Sequence, residues 1–154
     1  MKKYMKIMVG IPGSGKSTFV NSQFPDYTVI CADDIRKAMG HVFFMPMETM
    51  VHALTILYAR VAMERGKNVV IDETNVRARY VRTWVELAKD YGYEATVVRM
   101  LTSPDVCKER RDNGFPHSVI DKMHRELKED WDKIKEFDAT HGVFIHYADG
   151  TAKY

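Results

Sequence analysis

The sequence predicts an α/β fold: a five-stranded parallel sheet with helices on both faces, in a single domain spanning residues 1–154. Three observations predict it. Short apolar runs alternate with longer helical patterns along the whole chain, the arrangement that builds parallel sheets through crossover helices. The residues with chemistry to offer fall just after the apolar runs, where open α/β sheets hold their ligands. The length of 154 residues, 45% hydrophobic and 29% charged, suits one core and leaves no room for a second.

The first strand is read at 5–9 and the first helix at 15–23, stopped by Phe24-Pro25-Asp26. A second apolar strand at 27–31 ends in Ala32-Asp33-Asp34 and leads into a short helix at 35–39. A loop at 40–47 carries Phe43, Phe44 and a proline. A long helix at 48–65 follows, with Met50, Ala53, Leu54, Leu57, Val61 and Ala62 as its expected inward stripe. A buried strand at 68–72 ends in acid, and Glu73-Thr74-Asn75 is the turn after it. The helix at 77–91 turns Val81, Trp84, Val85 and Ala88 to one side, and the strand at 94–100 comes next. Ser103 and Pro104 read as the N-cap and first residue of a basic helix, which breaks at Asn113-Gly114-Phe115-Pro116. A last long helix at 117–137 points Val119, Ile120, Met123, Leu127, Trp131 and Ile134 inward, and a strand at 143–147 closes the sheet.

Between the first strand and first helix, Gly10, Gly15, Lys16 and Ser17 fit the pattern G-x-x-x-x-G-K-[ST]. Glycines let backbone N–H groups turn inward and approach a phosphate chain, and the positive end of the next helix adds to the attraction. The segment Gly10, Pro12, Gly13, Ser14, Gly15, Lys16, Ser17 and Thr18 is therefore the expected ATP cradle. Lys16 reaches the β- and γ-phosphates, and Ser17 offers a hydroxyl to Mg²⁺. The loop alone does not name the acceptor: a switch GTPase or an ATPase motor would share it.

Three further groups carry chemistry. Asp33 stands where a carboxylate can take the proton of an attacking hydroxyl, with Asp34 as a cap for the short helix. Arg36, one turn on, suits a phosphate of the acceptor. Asp72-Glu73 resembles an element whose acid lies near the metal, and Thr74 and Asn75 offer neutral hydrogen bonds at the same mouth. One or two of Arg77, Arg79 and Arg82 are expected to touch an anionic substrate. Arg110 and Arg111 precede the Gly-Phe-Pro break, so a lid over about 105–118 would bring an arginine to the transferring phosphoryl group. Phe43, Phe44 and Phe115 are candidate stacking platforms for bases.

Composition excludes several classes. A net charge of +2 gives only a weak global field, so wholesale polyanion binding is not indicated. Cys31 and Cys107 lack metal-ligand spacing, as do His41, His52, His117, His124, His141 and His146. No segment is long and apolar enough to span a membrane. Met1-Lys2-Lys3-Tyr4 leads straight into the first strand, so a cytoplasmic protein is expected. Asp149-Gly150-Thr151 reads as a turn.

With these residues placed, the chain resembles the P-loop polynucleotide 5′-hydroxyl kinases: the kinase half of the bacteriophage polynucleotide kinase-phosphatase, and more widely the small zeta-toxin-like kinases. The resemblance rests on 10–18, on Ala32-Asp33-Asp34-Ile35-Arg36, on Asp72-Glu73-Thr74-Asn75, on 84–92, and on Phe115-Pro116. It implies a three-layer P-loop kinase fold with a helical lid. It implies ATP as donor with Mg²⁺ at Ser17 and Asp72, Lys16, Arg110 and Arg111 as catalytic partners of a general base at Asp33, and nucleic acid 5′ ends, RNA or DNA, as acceptors. Arg36, Asp72, Glu73, Thr74 and Asn75 would line the acceptor side. In this family the lid usually carries two arginines a helical turn apart; Asn113 occupies the region of the second, and Arg111 is the substitute. A kinase for a nucleoside, sugar or nucleotide-sugar remains the alternative, and a nucleotide-binding module without an acceptor a third reading.

Overall fold

The computed structural model describes residues 1–40 and 43–154, so His41 lies outside the described residues. Five strands form one sheet in the order β2-β3-β1-β4-β5: β1 Tyr4–Val9, β2 Thr28–Ile30, β3 Val69–Ile71, β4 Glu94–Met100 and β5 Phe144–Ala148. Every neighbouring pair is parallel. The central strand β1 pairs Ile7 with Ile71 of β3 and with Val97 of β4. Alternation sorts the side chains onto two faces. Met5, Ile7, Val9, Val69, Ile71, Ala95 and Val97 join one core, and Met8, Val70, Val98 and Met100 join another on the opposite face.

The second core is covered by α1 (Lys16–Gln23) through Phe19 and Val20. The first is covered by α3 (Glu48–Glu64), α4 (Ala78–Asp90) and α6 (His117–Lys135). The three-layer arrangement expected from the sequence is therefore present. Helix α4 buries Val81, Trp84, Val85 and Ala88, as its periodicity predicts. Ser103 caps α5 (Pro104–Arg110), its hydroxyl accepting from the Val106 N–H at 3.3 Å.

Three expectations need correction. Helix α2 (Ala32–Ala38) starts directly off β2 with Cys31 as its N-cap, so Asp34 is no cap; Asp33 and Asp34 lie in the first turn, at the positive end of the helix. Helix α3 buries Val51, Thr55, Ala59, Ala62 and Met63, while Met50, Leu54, Leu57 and Val61 are exposed. The helix is apolar on two faces, and the sheet takes the one with the smaller side chains. The final helix ends at Lys135, and Phe137 opens a separate short helix α7 (Phe137–His141), with its ring buried against the first core.

Candidate active site

The carboxyl ends of β1, β3 and β4 converge on the loop at 10–17. Gly13 and Gly15 sit at φ 83° and 91°, a region that L side chains rarely adopt. The loop is pinned from more than one side. The Gly10 N–H donates to the Thr74 carbonyl at 3.0 Å. The Thr102 hydroxyl donates to the Ser14 carbonyl at 2.7 Å. Ser14 itself is fully buried, and its hydroxyl has no partner among the described residues.

Lys16 folds back over the loop and donates to the carbonyls of Gly10 at 2.9 Å and Ile11 at 3.1 Å. Burial lowers its proton affinity to about 8, partly offset by the charge of Asp72. A half-buried ammonium whose hydrogen bonds, among the described residues, go to carbonyls is a receptor awaiting an anion. The Ser17 hydroxyl donates to the Asp72 carboxylate at 2.9 Å. Burial pushes the Asp72 carboxyl up, and the Ser17 bond and Lys16 pull it back. A hydroxyl and a carboxylate side by side are hard oxygen donors that suit Mg²⁺, which keeps most of its ligands as water and phosphate. Among the described residues no cluster of three acids, histidines or cysteines competes for a metal.

The two candidate lid arginines both reach this loop. Arg110, the last residue of α5, donates from Nη1 to the Gly13 carbonyl at 3.1 Å and from Nη2 to the Gly150 carbonyl at 2.9 Å. The Arg111 side chain lies against Gly13, its guanidinium over the Phe115 ring at 5.0 Å, and its charge is felt at Lys16. Gly150 is the contributor that sequence reasoning missed. It falls in the Asp149-Gly150-Thr151 turn, where Thr151 donates to Asp149 through its N–H and its hydroxyl. A Cβ on Gly150 would collide with the Ser14 carbonyl and the Thr102 hydroxyl. Its position straight after β5, at the ligand edge of the sheet, was the available signal.

On the other side of Thr74 lies a cavity of about 510 Å³, lined in part by Arg36, Phe43, Glu73, Thr74 and Asn75. Arg36 carries the strongest ion pairing here. It donates from Nε and Nη2 to both oxygens of Glu48, at 2.9 and 2.5 Å, and from Nη1 to Asp33 at 2.5 Å. These bonds raise its proton affinity further. The Asp33 side chain is 74% exposed, and its charge is felt at Lys16, Asp72 and Glu73. Glu73 is pushed from 4.5 to about 7 by burial, with Arg36 pulling down and Asp33 and Asp72 pushing up.

Asn75 lines that cavity and also braces the sheet. At φ 47° and 2% exposure, it donates from its amide to the Met8 carbonyl at 2.8 Å, bracing β1 behind the phosphate loop. The basic residues after it do not gather at the site. Arg77 is bound by Glu126, Glu129 and Asp130 of α6, Arg79 lies on Tyr80, and Arg82 lies over Phe137.

The chain matches the family described as AAA domain over residues 5–129. It is 31% identical over 113 residues to a protein of Acanthamoeba polyphaga mimivirus named as a bifunctional polynucleotide phosphatase/kinase, covering 73% of this chain and 24% of that one. It is 28% identical over 132 residues to a protein of Autographa californica nuclear polyhedrosis virus named as a bifunctional polynucleotide kinase/RNA ligase, covering 74% of this chain and 19% of that one. The chain thus spans a quarter or less of these curated relatives. The fold is similar to a chain in the structure of the Pnkp1/Rnl/Hen1 RNA repair complex, with TM-score 0.77 and 22% identity over 86% of this chain and 46% of that one.

Proposed function

We propose that this chain, which belongs to the AAA domain family, transfers the γ-phosphoryl group of ATP to the 5′-hydroxyl of a polynucleotide. Two of its relatives are named as polynucleotide kinases joined to a second activity, which supports the substrate class. The observation that carries the reading is that one turn serves two spaces. Thr74 holds the phosphate loop through its carbonyl and lines the adjoining cavity, with Asp33 tied to Arg36 in the cavity wall.

The acceptor hydroxyl gives its proton to the Asp33 carboxylate, and its oxygen attacks the γ-phosphorus. The bond from that phosphorus to the β–γ bridging oxygen breaks, and ADP leaves. Arg36 sets the carboxylate in place, and Glu48 sets Arg36. Lys16, Arg110 and Arg111 surround the phosphate cradle and meet the charge that spreads over the transferring oxygens. Ser17 and Asp72 are the residues that would hold Mg²⁺, which would supply charge neutralisation for the donor phosphates. Segment 105–118 acts as the lid that brings both arginines to the donor. Phe43, exposed at the cavity with Arg36 over its ring at 5.7 Å, offers a face for the first base.

The cavity volume also fits a single nucleoside or sugar, which favours a small-molecule kinase as the second reading. Labelled ATP offered with 5′-hydroxyl RNA and DNA oligomers, beside a panel of nucleosides and sugars, separates the two. Label on oligomer 5′ ends supports the proposal; label only on metabolites refutes it.

A further inference from the structure

The helices over the first core differ in what they show to solvent. The outer face of α4 carries Arg82, Glu86 and Lys89, and that of α6 carries Arg125, Lys128 and Glu129. Helix α3 instead exposes Met50, Leu54, Leu57, Tyr58 and Val61, each to between 37% and 55%. From Met50 to Val61 the only formally charged residue is Arg60. A continuous apolar stripe in water is costly, and such a patch marks an interaction surface. The stripe is separate from the cavity, to which α3 contributes Glu48, Val51, His52 and Thr55.

Three features of the stripe select its occupant. The first is spacing. Met50, Leu54, Leu57 and Val61 follow one another at intervals of four, three and four residues, the seam of a two-helix coiled coil. That order reads the same in both directions. A two-fold axis between Thr55 and Ile56 therefore sets Leu54 on Leu57 of a second copy and Met50 on its Val61, as a self-complementary interface requires. The second feature is charge. A parallel pair would set Arg60 beside Arg60, whereas the antiparallel pair holds the two about 14 Å apart along the axis, beyond the screening length of physiological salt. The antiparallel pair also brings the end of one helix carrying Arg60, Glu64 and Arg65, formally +1, to the end of the other. There Glu48, Arg36 and Asp33 together carry −1. The third feature is area. About half of five large side chains is on the order of 400 Å² of apolar surface per copy, which with a polar rim reaches the lower end of stable interface sizes.

We infer that α3 is the pairing surface of a symmetric dimer, in which two copies of this chain join antiparallel along Met50, Leu54, Leu57 and Val61. Tyr58 flanks the seam. The cavity stays open in each copy, because the residues that α3 gives to it lie outside the stripe. The dimer is independent of the kinase reading.

Sedimentation velocity on the full chain, from about 1 to about 200 µM, reads the association directly. The wild type is expected to pass from the mass of one chain to that of two, with a dissociation constant in the micromolar range. Leu54→Glu and Leu57→Lys each place two charges in the seam, and each should weaken association by at least about a hundredfold. Both positions are exposed, so the variants fold, and melting curves check it. Mixed in equal amounts, the two variants should recover most of the association, because the acid introduced at 54 then faces the ammonium introduced at 57. A parallel pair sets 54 on 54 and 57 on 57, and gains no such contact. A wild type that stays monomeric at the highest concentration overturns the inference and leaves the stripe to a different protein. A dimer that neither substitution weakens overturns it too, since the contact then lies elsewhere. Two monomeric variants whose mixture stays monomeric overturn the antiparallel register.

Discussion

Replacing Glu73 by Gln isolates the electrostatics of the cavity wall. The Glu73 carboxyl sits at about 7 in the fold against an ordinary 4.5, chiefly because it is buried. An unfolded chain gives up this proton near 4.5, and the folded chain keeps it until about 7. Between those values the native state binds the extra proton, so its stability falls as pH rises, and levels off above about 7. At about 1.4 kcal/mol per pH unit the whole displacement is worth roughly 3 kcal/mol. Glutamine has the same shape and no proton to lose. Urea unfolding of both proteins at about pH 5 and about pH 8 should therefore show the wild type losing about 2–3 kcal/mol relative to Glu73→Gln across that interval. A second substitution, Asp33→Asn, removes a neighbouring negative charge and should shrink the difference. A wild-type-minus-Gln difference that stays flat between the two pH values would refute the reasoning, because it would mean that Glu73 is solvated like any surface acid.

Two more outcomes are expected on the donor side. Lys16 sits at about 8 when no anion is present, so binding of a nucleoside triphosphate at about pH 8.5 should take up a proton as the phosphates restore its charge. Calorimetry in two buffers of different ionisation enthalpy reads this uptake, and identical heats in both buffers would count against it. Gly150→Ala presses a methyl group into the Ser14 carbonyl and Thr102, and should destabilise the fold by about 1–3 kcal/mol and weaken ATP binding, read by melting and by titration.

Local chemistry was legible in the chain wherever neighbours in sequence are neighbours in space. The loop at 10–17 announces its own geometry through its glycines, and Ser103-Pro104 announces a helix start that α5 obeys. Periodicity placed the inward faces of α4 and most of α6 because each has one apolar side. Helix α3 has two, and a helical period cannot say which side the sheet will choose; the choice fell on Val51, Thr55 and Ala59, which let the helix lie close to it. The site beyond the loop depended on distant pairings. Arg36 meets Glu48 across the 40–47 segment, Arg77 meets the acids of α6, and Gly150 packs on Ser14 at the far end of the chain. No spacing rule reports such contacts, so the arginines could be counted in the sequence while their partners could not.

The most direct measurement is phosphoryl transfer by Asp33→Ala, with ATP affinity measured on the same protein. With Asp33 as the base, transfer to a 5′-hydroxyl oligomer should fall by about 10²–10⁴, the contribution typical of a positioned base, with ATP binding within about twofold of wild type. Transfer at the wild-type rate in a variant that still binds ATP would contradict that role.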